Sequence, residues 1–418
     1  MKKWILSLSF FWMAWSAQAQ ERVGLSACYE AARSNYPLLK QKDMQAQIAA
    51  LQVLNLQKVR QLPQLTLNGQ ASWQNEVTQI PISLPNLNIE SLSRDQYRLT
   101  LDASYLLFDG QASTLQAQVQ QANGAVEQQK VEVELRKLND QVNAYFLSSL
   151  LMDENIALTQ VLMEDLKTRM TALAARVKLG TGLQTSVDVL EAEWLKADQR
   201  LVELQATRKG FRAMLALLTG LPIGENTTLE LPEKQSLVSE SKRPELQLFA
   251  LQKGYLDAQT KLIENKRLPR VSAFLQTGIG RPSLNVLSNE FRPIFIGGLR
   301  LNWAISNLYT SQNEKSLLQL NRQLVDSQYD TFNKVLGIQL QQQQTEIEKW
   351  QGILAKDQAL VAIRTRIKNN VAAQLESGVA TATEFVNELN AENQAKINQK
   401  IHEFQLLTAQ INYNTLTR

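Results

Sequence analysis

The chain has 418 residues, of which 44% are hydrophobic and 20% charged, with a formal net charge of +4 at neutral pH. It holds one cysteine and one histidine, so an internal disulfide is excluded and a catalytic or metal site has little to be built from. No basic block marks a nucleic-acid footprint, and no Gly-x-x-x-x-Gly-Lys-Ser/Thr loop marks a nucleotide site; no cofactor and no nucleic-acid partner are expected.

Lys2 and Lys3 precede an apolar run from Trp4 to Trp15, which ends in Ser16-Ala17-Gln18-Ala19. This pattern predicts a secretory signal peptide over residues 1–19. A retained anchor is the alternative, although the run is shorter than the roughly 20 residues of a spanning helix. Without the two lysines the formal charge falls to +2. Leu25-Ser26-Ala27-Cys28 resembles a lipoprotein box but follows charged Glu21 and Arg22. Cys28 therefore reads first as a small apolar residue near a helix start.

The mature chain repeats one plan, with residues 20–219 as a first copy, 220–242 as a connection and 243–418 as a second copy. Short helices are expected over 22–61 and 243–267, stopped near Leu62 and Leu268 by Pro63 and Pro269. Each is followed by alternating residues that predict a β-hairpin, 63–108 in the first copy and 270–305 in the second. One face collects Leu65, Leu67, Gly69, Ala71 and Trp73, then Tyr97, Leu99, Leu101, Ala103, Tyr105 and Leu107. The second hairpin repeats this less cleanly, with Phe295, Leu299, Leu301 and Trp303 opposite Arg300 and Asn302. The connections, 77–95 and 281–292, are rich in Pro, Asn and Ser and read as loops.

Long helices follow, over 111–178 and 309–376. In the first, Leu115, Val119, Ala122, Val126 and Val133 keep a heptad spacing, later joined by Leu138, Val142 and Tyr145. Each would be on the order of 100 Å long. They end at glycine-bearing turns, Leu179-Gly180-Thr181-Gly182 and Glu376-Ser377-Gly378, from which shorter helices return over 184–219 and 381–417.

An apolar strand face normally packs on a core. Here the helices carry only narrow seams, and an exported chain can bury such a face in outer-membrane lipid. Ten-residue strands with aromatic punctuation suit that medium. Four strands cannot close a membrane barrel, and open edges in hydrocarbon cost several kcal/mol per unpaired group. Each chain must then lend its strands to a shared barrel, of a copy number that the physics leaves open. The lipid-facing residues would be Leu65, Leu67, Trp73, Tyr97, Leu99, Leu101, Tyr105, Leu299, Leu301 and Trp303. A periplasmic coiled-coil scaffold, its hairpins packed on each other, is the alternative.

Short helix, hairpin, long helix, glycine turn and returning helix, all duplicated, resembles the TolC family of outer-membrane export ducts over essentially the whole mature chain. Leu107-Phe108-Asp109-Gly110 is similar to a family segment; its counterpart Ile305-Ser306-Asn307-Leu308 departs from it. The tips Gly182-Leu183-Gln184-Thr185-Ser186-Val187-Asp188-Val189-Leu190 and Gly378-Val379-Ala380-Thr381-Ala382-Thr383-Glu384-Phe385-Val386 resemble the family's Gly-x-x-Thr-x-x-Asp-Val-Leu tips. The resemblance implies a mixed α and β fold, with long coiled-coil helices forming a periplasmic tunnel and a trans-subunit β-barrel in the outer membrane. It also implies a homotrimer, serving a tripartite efflux or type I secretion system. The tips, at Gly180, Gly182, Leu183, Thr185, Gly378, Val379 and Thr381, would dock a periplasmic adaptor tied to an inner-membrane pump. By the same resemblance Glu384 would stand in an acidic ring at the aperture, with Asn387 in place of a second acid. Ala380 stands where a basic residue would tie the hairpins through Asp188. The plainer reading makes Asp188 and Glu384 caps of the returning helices.

Overall fold

A computed structural model describes residues 22–78, 92–232, 242–286 and 288–417. The expected signal peptide and most of the first strand connection lie outside them. The elements in chain order are β1 (Arg22–Val23), α1 (Leu25–Asn35), α2 (Leu38–Gln61), β2 (Gln64–Trp73) and β3 (Asp95–Phe108), then α3 (Ala112–Lys178) and α4 (Gln184–Thr219). They continue with β4 (Thr228–Leu229), α5 (Pro244–Asn265), β5 (Arg270–Arg281), β6 (Arg292–Asn302), α6 (Asn307–Glu376) and α7 (Ala382–Thr417). This is the expected mixed fold, dominated by long helices. No described helix is long and apolar enough to cross a membrane.

Several expectations shift. The single helix over 22–61 is two, because Pro37 denies α2 a continuous backbone ladder into α1. A two-residue strand precedes them and pairs in parallel with β4. Helix α5 stops at Asn265 rather than near Leu268. There the Lys266 N–H bonds back to the carbonyls of Leu262 and Ile263, and Leu268 N–H to that of Asn265. Strand β6 ends at Asn302, so the second hairpin is shorter than 270–305 and Trp303 lies outside it.

The contacts divide the chain into two compact units, one from the described residues of 1–39, 135–242 and 336–418, the other from those of 40–134 and 243–335. The first is helical apart from β1 and β4. It holds two buried clusters. Val142, Phe146, Leu147 and Leu150 of α3 meet Cys28, Leu215, Ile223 and Phe404 in one. Leu162 and Leu166 meet Leu190, Leu375, Phe385 and Leu389 in the other. Cys28 is wholly buried, as the apolar reading requires, and burial pushes its thiol up to about 11. Arg212, also buried, fastens the 220–227 connection. Its guanidinium donates to the carbonyls of Gly224 (2.8 Å) and Glu225 (2.7 Å) and to Asp153 (2.9 Å).

Along α3 the heptad expectation holds only in part. Val119, Val126, Leu138 and Val142 are buried, but Val133 and Tyr145 are half-exposed, and Val131, Leu135 and Phe146 fill the seam instead. A straight helix drifts about 20° per heptad, so four-residue steps must intervene to keep one side covered.

The second unit carries the sheet. Its order is β2-β3-β5-β6, with every neighbouring pair antiparallel. Gly124, the one glycine of α3, lies where a Cβ would stand 2.4 Å from the Ala49 Cβ of α2. The two helices approach too closely there for any side chain. Asp109 starts α3, accepting from the N–H groups of Gln111 (2.9 Å) and Ser113 (2.8 Å). Gly110 and Gln111 both adopt positive φ to make that turn. The second copy lacks the acid, and α6 begins at Asn307, whose side-chain amide donates to the Lys266 carbonyl (3.1 Å).

Candidate functional site

Two surfaces stand out, one in each unit. In the sheet, residues directly opposite each other across antiparallel strands share a face, so the register tests the sequence parity. Leu65 faces Ala103, which faces Leu275 and then Gly297. Leu67, Leu101, Thr277 and Phe295 form the next row, and Gly69, Leu99, Ile279 and Pro293 the one after. All but one of the proposed lipid-facing residues fall on this one face, including Trp73, Tyr97, Tyr105, Leu299 and Leu301. Nothing among the described residues covers it: Leu65 is 64% exposed, Phe295 70% and Leu299 72%. A face of this size left bare is costly in water.

Trp303 is the exception. It lies beyond β6, and its indole N–H donates to the Arg267 carbonyl at 3.0 Å. Near the end of β3 a register shift between Leu106 and Phe108 also displaces Leu107 from its alternation. The opposite face carries Gln64, Thr66, Asn68 and Gln70, then Arg98, Thr100, Asp102 and Ser104. Asn68 donates to Asp102 across the strands at 2.6 Å. Strands β2 and β6 each have one neighbour in the sheet, so an edge of each presents unpaired backbone groups.

The helical unit ends in two turns built alike. Gly180 has φ +72° and Gly378 +76°. In each, the glycine N–H bonds three residues back and the next N–H five residues back, Thr181 to Arg176 (2.9 Å) and Val379 to Gln374 (2.9 Å). These are Schellman closures, which need the left-handed residue that glycine supplies. Gly182 serves space instead, since a Cβ there would lie 3.1 Å from the Arg176 Cβ. Leu179, Leu183 and Val379 are more than 70% exposed, so both tips present bare apolar side chains. Thr185 is exposed in the first turn of α4, and Ala380 is half-buried beside the second turn.

The two tip acids differ. Thr381 and Glu384 form a capping box at the start of α7. The Glu384 N–H donates to Thr381 Oγ1 (3.2 Å), while Thr381 N–H donates to Glu384 Oε2 (2.8 Å). That backbone donor, with the Thr381 hydroxyl, holds the Glu384 carboxyl below its ordinary value. The Thr-x-x-Glu spacing could have identified the box from sequence. Asp188 is not a cap. It lies a full turn inside α4 and accepts from the Gln184 side chain at 2.8 Å, while N-cap Leu183 offers no side-chain bond. Asn387 is exposed on α7.

Side chains of α3, rather than Ala380, tie the hairpins together. Arg176 of α3 donates to the carbonyl of Glu376, the last residue of α6, at 2.5 Å. Arg169 sits 4.5 Å from the ring centre of buried Phe385 and pairs with Glu376 at 3.5 Å. Deeper in, Lys368 joins Asp165 (3.4 Å) to Glu392 (3.3 Å). No spacing rule links these residues, which come from three helices. His402, the single histidine, bonds Asp357 (2.7 Å) and stacks on Trp350. No group of His, Cys, Asp and Glu among the described residues could hold a metal.

The chain is similar to several solved outer-membrane proteins. The outer-membrane channel OprN shares 16% identity at a TM-score of 0.68, over 94% of this chain and 89% of that one. CusC, described for its folding and transmembrane channel formation, shares 13% at a TM-score of 0.70, over 94% and 91%. The Neisseria gonorrhoeae MtrE outer membrane channel, in its open state, shares 16% at 0.67, over 94% and 88%. No family model and no curated protein sequence matches. At these identities the likeness establishes the fold.

Proposed function

We propose that this chain, which has the fold of outer-membrane channels, is one subunit of an oligomeric outer-membrane duct. One observation carries the reading: a four-stranded antiparallel sheet with one continuous bare apolar face and two unpaired edges. In lipid the apolar face is satisfied, but the edges are not, and several kcal/mol per unpaired group favour closure with further copies. Three copies would give a twelve-stranded barrel, its polar face turned to a wet lumen.

In this reading the protein is a passive conduit rather than an enzyme, and energy comes from an inner-membrane pump. A periplasmic adaptor would engage the tips, where Leu179, Leu183 and Val379 offer apolar contacts beside Thr185 and Thr381. Efflux and type I secretion are both served by such a duct. Glu384, exposed despite its capping bonds, would face the aperture with Asn387, while Asp188 would lie on the neighbouring hairpin.

Fractionation tests this directly. The protein should sediment with outer membranes, resist washing and run as an oligomer until heated. Recovery in the soluble periplasmic fraction would overturn the duct and favour a coiled-coil scaffold.

A further inference from the structure

We propose that the polar face of the sheet is an anion-selecting surface, built on Arg98, Arg270, Arg292 and Arg300, so that the duct favours anionic solutes. The inference rests on the duct reading, in which this face lines the lumen.

All four arginines lie on strands, and all four share one parity. Arg98 faces Gln70 on one side and Gly280 on the other, and Gly280 faces Arg292. Arg98 and Arg292 therefore stand in one cross-strand row, about 10 Å apart by two strand spacings. The residue in the gap is glycine, and the end of the Ile294 side chain lies over it, 2.9 Å from where a Cβ would stand. Nearer the other end of the sheet, Arg300 faces Ser272 and Arg270 faces Asn302. The Arg300 guanidinium lies 4.8 Å from the ring centre of Phe274, which holds it over the sheet. Phe274 in turn faces Gly298, where an added Cβ would stand 3.2 Å from the ring. Two tiers of fixed positive charge result.

Compensating acid is scarce. On the strands of this face Asp102 is the sole carboxylate, already bonded to Asn68. Glu290 reaches Arg292 from the preceding connection at 2.9 Å. Asp95 belongs to the other parity, opposite Trp73, where it pairs with Arg281. Asp109, at the foot of the sheet, aims its oxygens at the N–H groups of Gln111 and Ser113. Arg98, Arg270 and Arg300 have no carboxylate at ion-pair distance among the described residues. Counting both Asp102 and Glu290, each chain still brings a surplus of two positive charges to the face. Closure repeats that surplus around a narrow wet passage with lipid behind it, a geometry that concentrates the field and raises the local level of anions. Carboxylates and phosphates suit a guanidinium surface best, through paired N–H donors.

Reversal potentials across planar bilayers, measured for the intact oligomer in a potassium chloride gradient, test the assignment. The expected result is that Arg98→Gln, Arg292→Gln and Arg300→Gln together lower the chloride-to-potassium permeability ratio by at least about two-fold. Asp102→Asn should move the ratio the other way. The change between proteins carries the inference, so the tip acids, common to all of them, leave the comparison unaffected. An unchanged ratio in a triple variant that assembles would overturn it. If the triple variant fails to reach the outer membrane, Asp102→Asn decides, and an unmoved ratio there overturns it as well. Absence of any conducting event in the parent protein would instead overturn the duct, and this inference with it.

Discussion

Replacing Arg169 and Arg176 by methionine should loosen the two hairpins at their tips while leaving the rest of the helical unit intact. Arg176 donates to the Glu376 carbonyl, at the helix end where orphan carbonyls gather negative charge. A hydrogen bond from a charged donor is worth about 1.5–3 kcal/mol, and exposure here sets it near the lower end. Arg169 lies over Phe385, which is fully buried, adding about 1 kcal/mol. Its pair with Glu376, whose side chain is 71% exposed, adds at most a few tenths of a kcal/mol. The double variant should thus lose about 2–3 kcal/mol of coupling, roughly 30- to 150-fold in the ratio of tied to released tips. Hydrogen exchange reads that ratio locally. Amides of the second turn and the start of α7 should exchange faster by about that factor, while those around Phe146 and Leu215 keep their protection. Arg176→Lys should restore part of the effect by supplying a cation. Tip exchange unchanged within about two-fold in the double variant would refute the assignment of these arginines as the tie.

Leu101→Arg puts a charge on the apolar face near mid-strand and should cost about 2–4 kcal/mol in lipid; Thr66→Arg, on the polar face, should assemble normally in a heat-modifiability assay. Gly180→Ala and Gly378→Ala meet no neighbouring atoms, so each should cost only the left-handed backbone penalty, about 1 kcal/mol in denaturant unfolding. Arg212→Met strands the Gly224 and Glu225 carbonyls, while Asp153 keeps its pair with Arg208, and should cost about 2–3 kcal/mol by the same measurement. The Glu384 box contributes fully above the ordinary glutamate value of 4.5 and is lost as pH falls through the lower folded value. Tip exchange should therefore quicken only in acid. Glu384→Gln keeps an acceptor for Thr381 and removes the charge, so a raised chloride-to-potassium permeability ratio with an unmoved tip would support the ring role, and an unchanged ratio would refute it.

Local chemistry was legible along the chain. Helix starts and stops at Gly180, Gly378 and the return helices depend on backbone sterics within a few residues, and there the expected bounds and the observed ones agree closely. The same holds for strand alternation, because successive side chains point to opposite faces wherever the strand lies. The misreadings have equally local causes. Pro37 breaks the first helix in two, β6 ends one residue before Trp303, and Asp188 stands a turn too far inside α4 to cap it.

Periodicity and residues with restricted backbones were enough to give the long and returning helices, the four hairpin strands, their order and one apolar sheet face, but not the split at Pro37 or the short β1–β4 pair. The tertiary structure decided which strands are neighbours, and so placed Arg98 and Arg292 in one row across Gly280. It also brought Arg169 and Arg176 against α6 and α7, and set which positions of α3 fill its seam. Strand register and helix packing join residues far apart in the chain, through contacts whose energy depends on the fit of whole surfaces, and no short-range pattern encodes that fit.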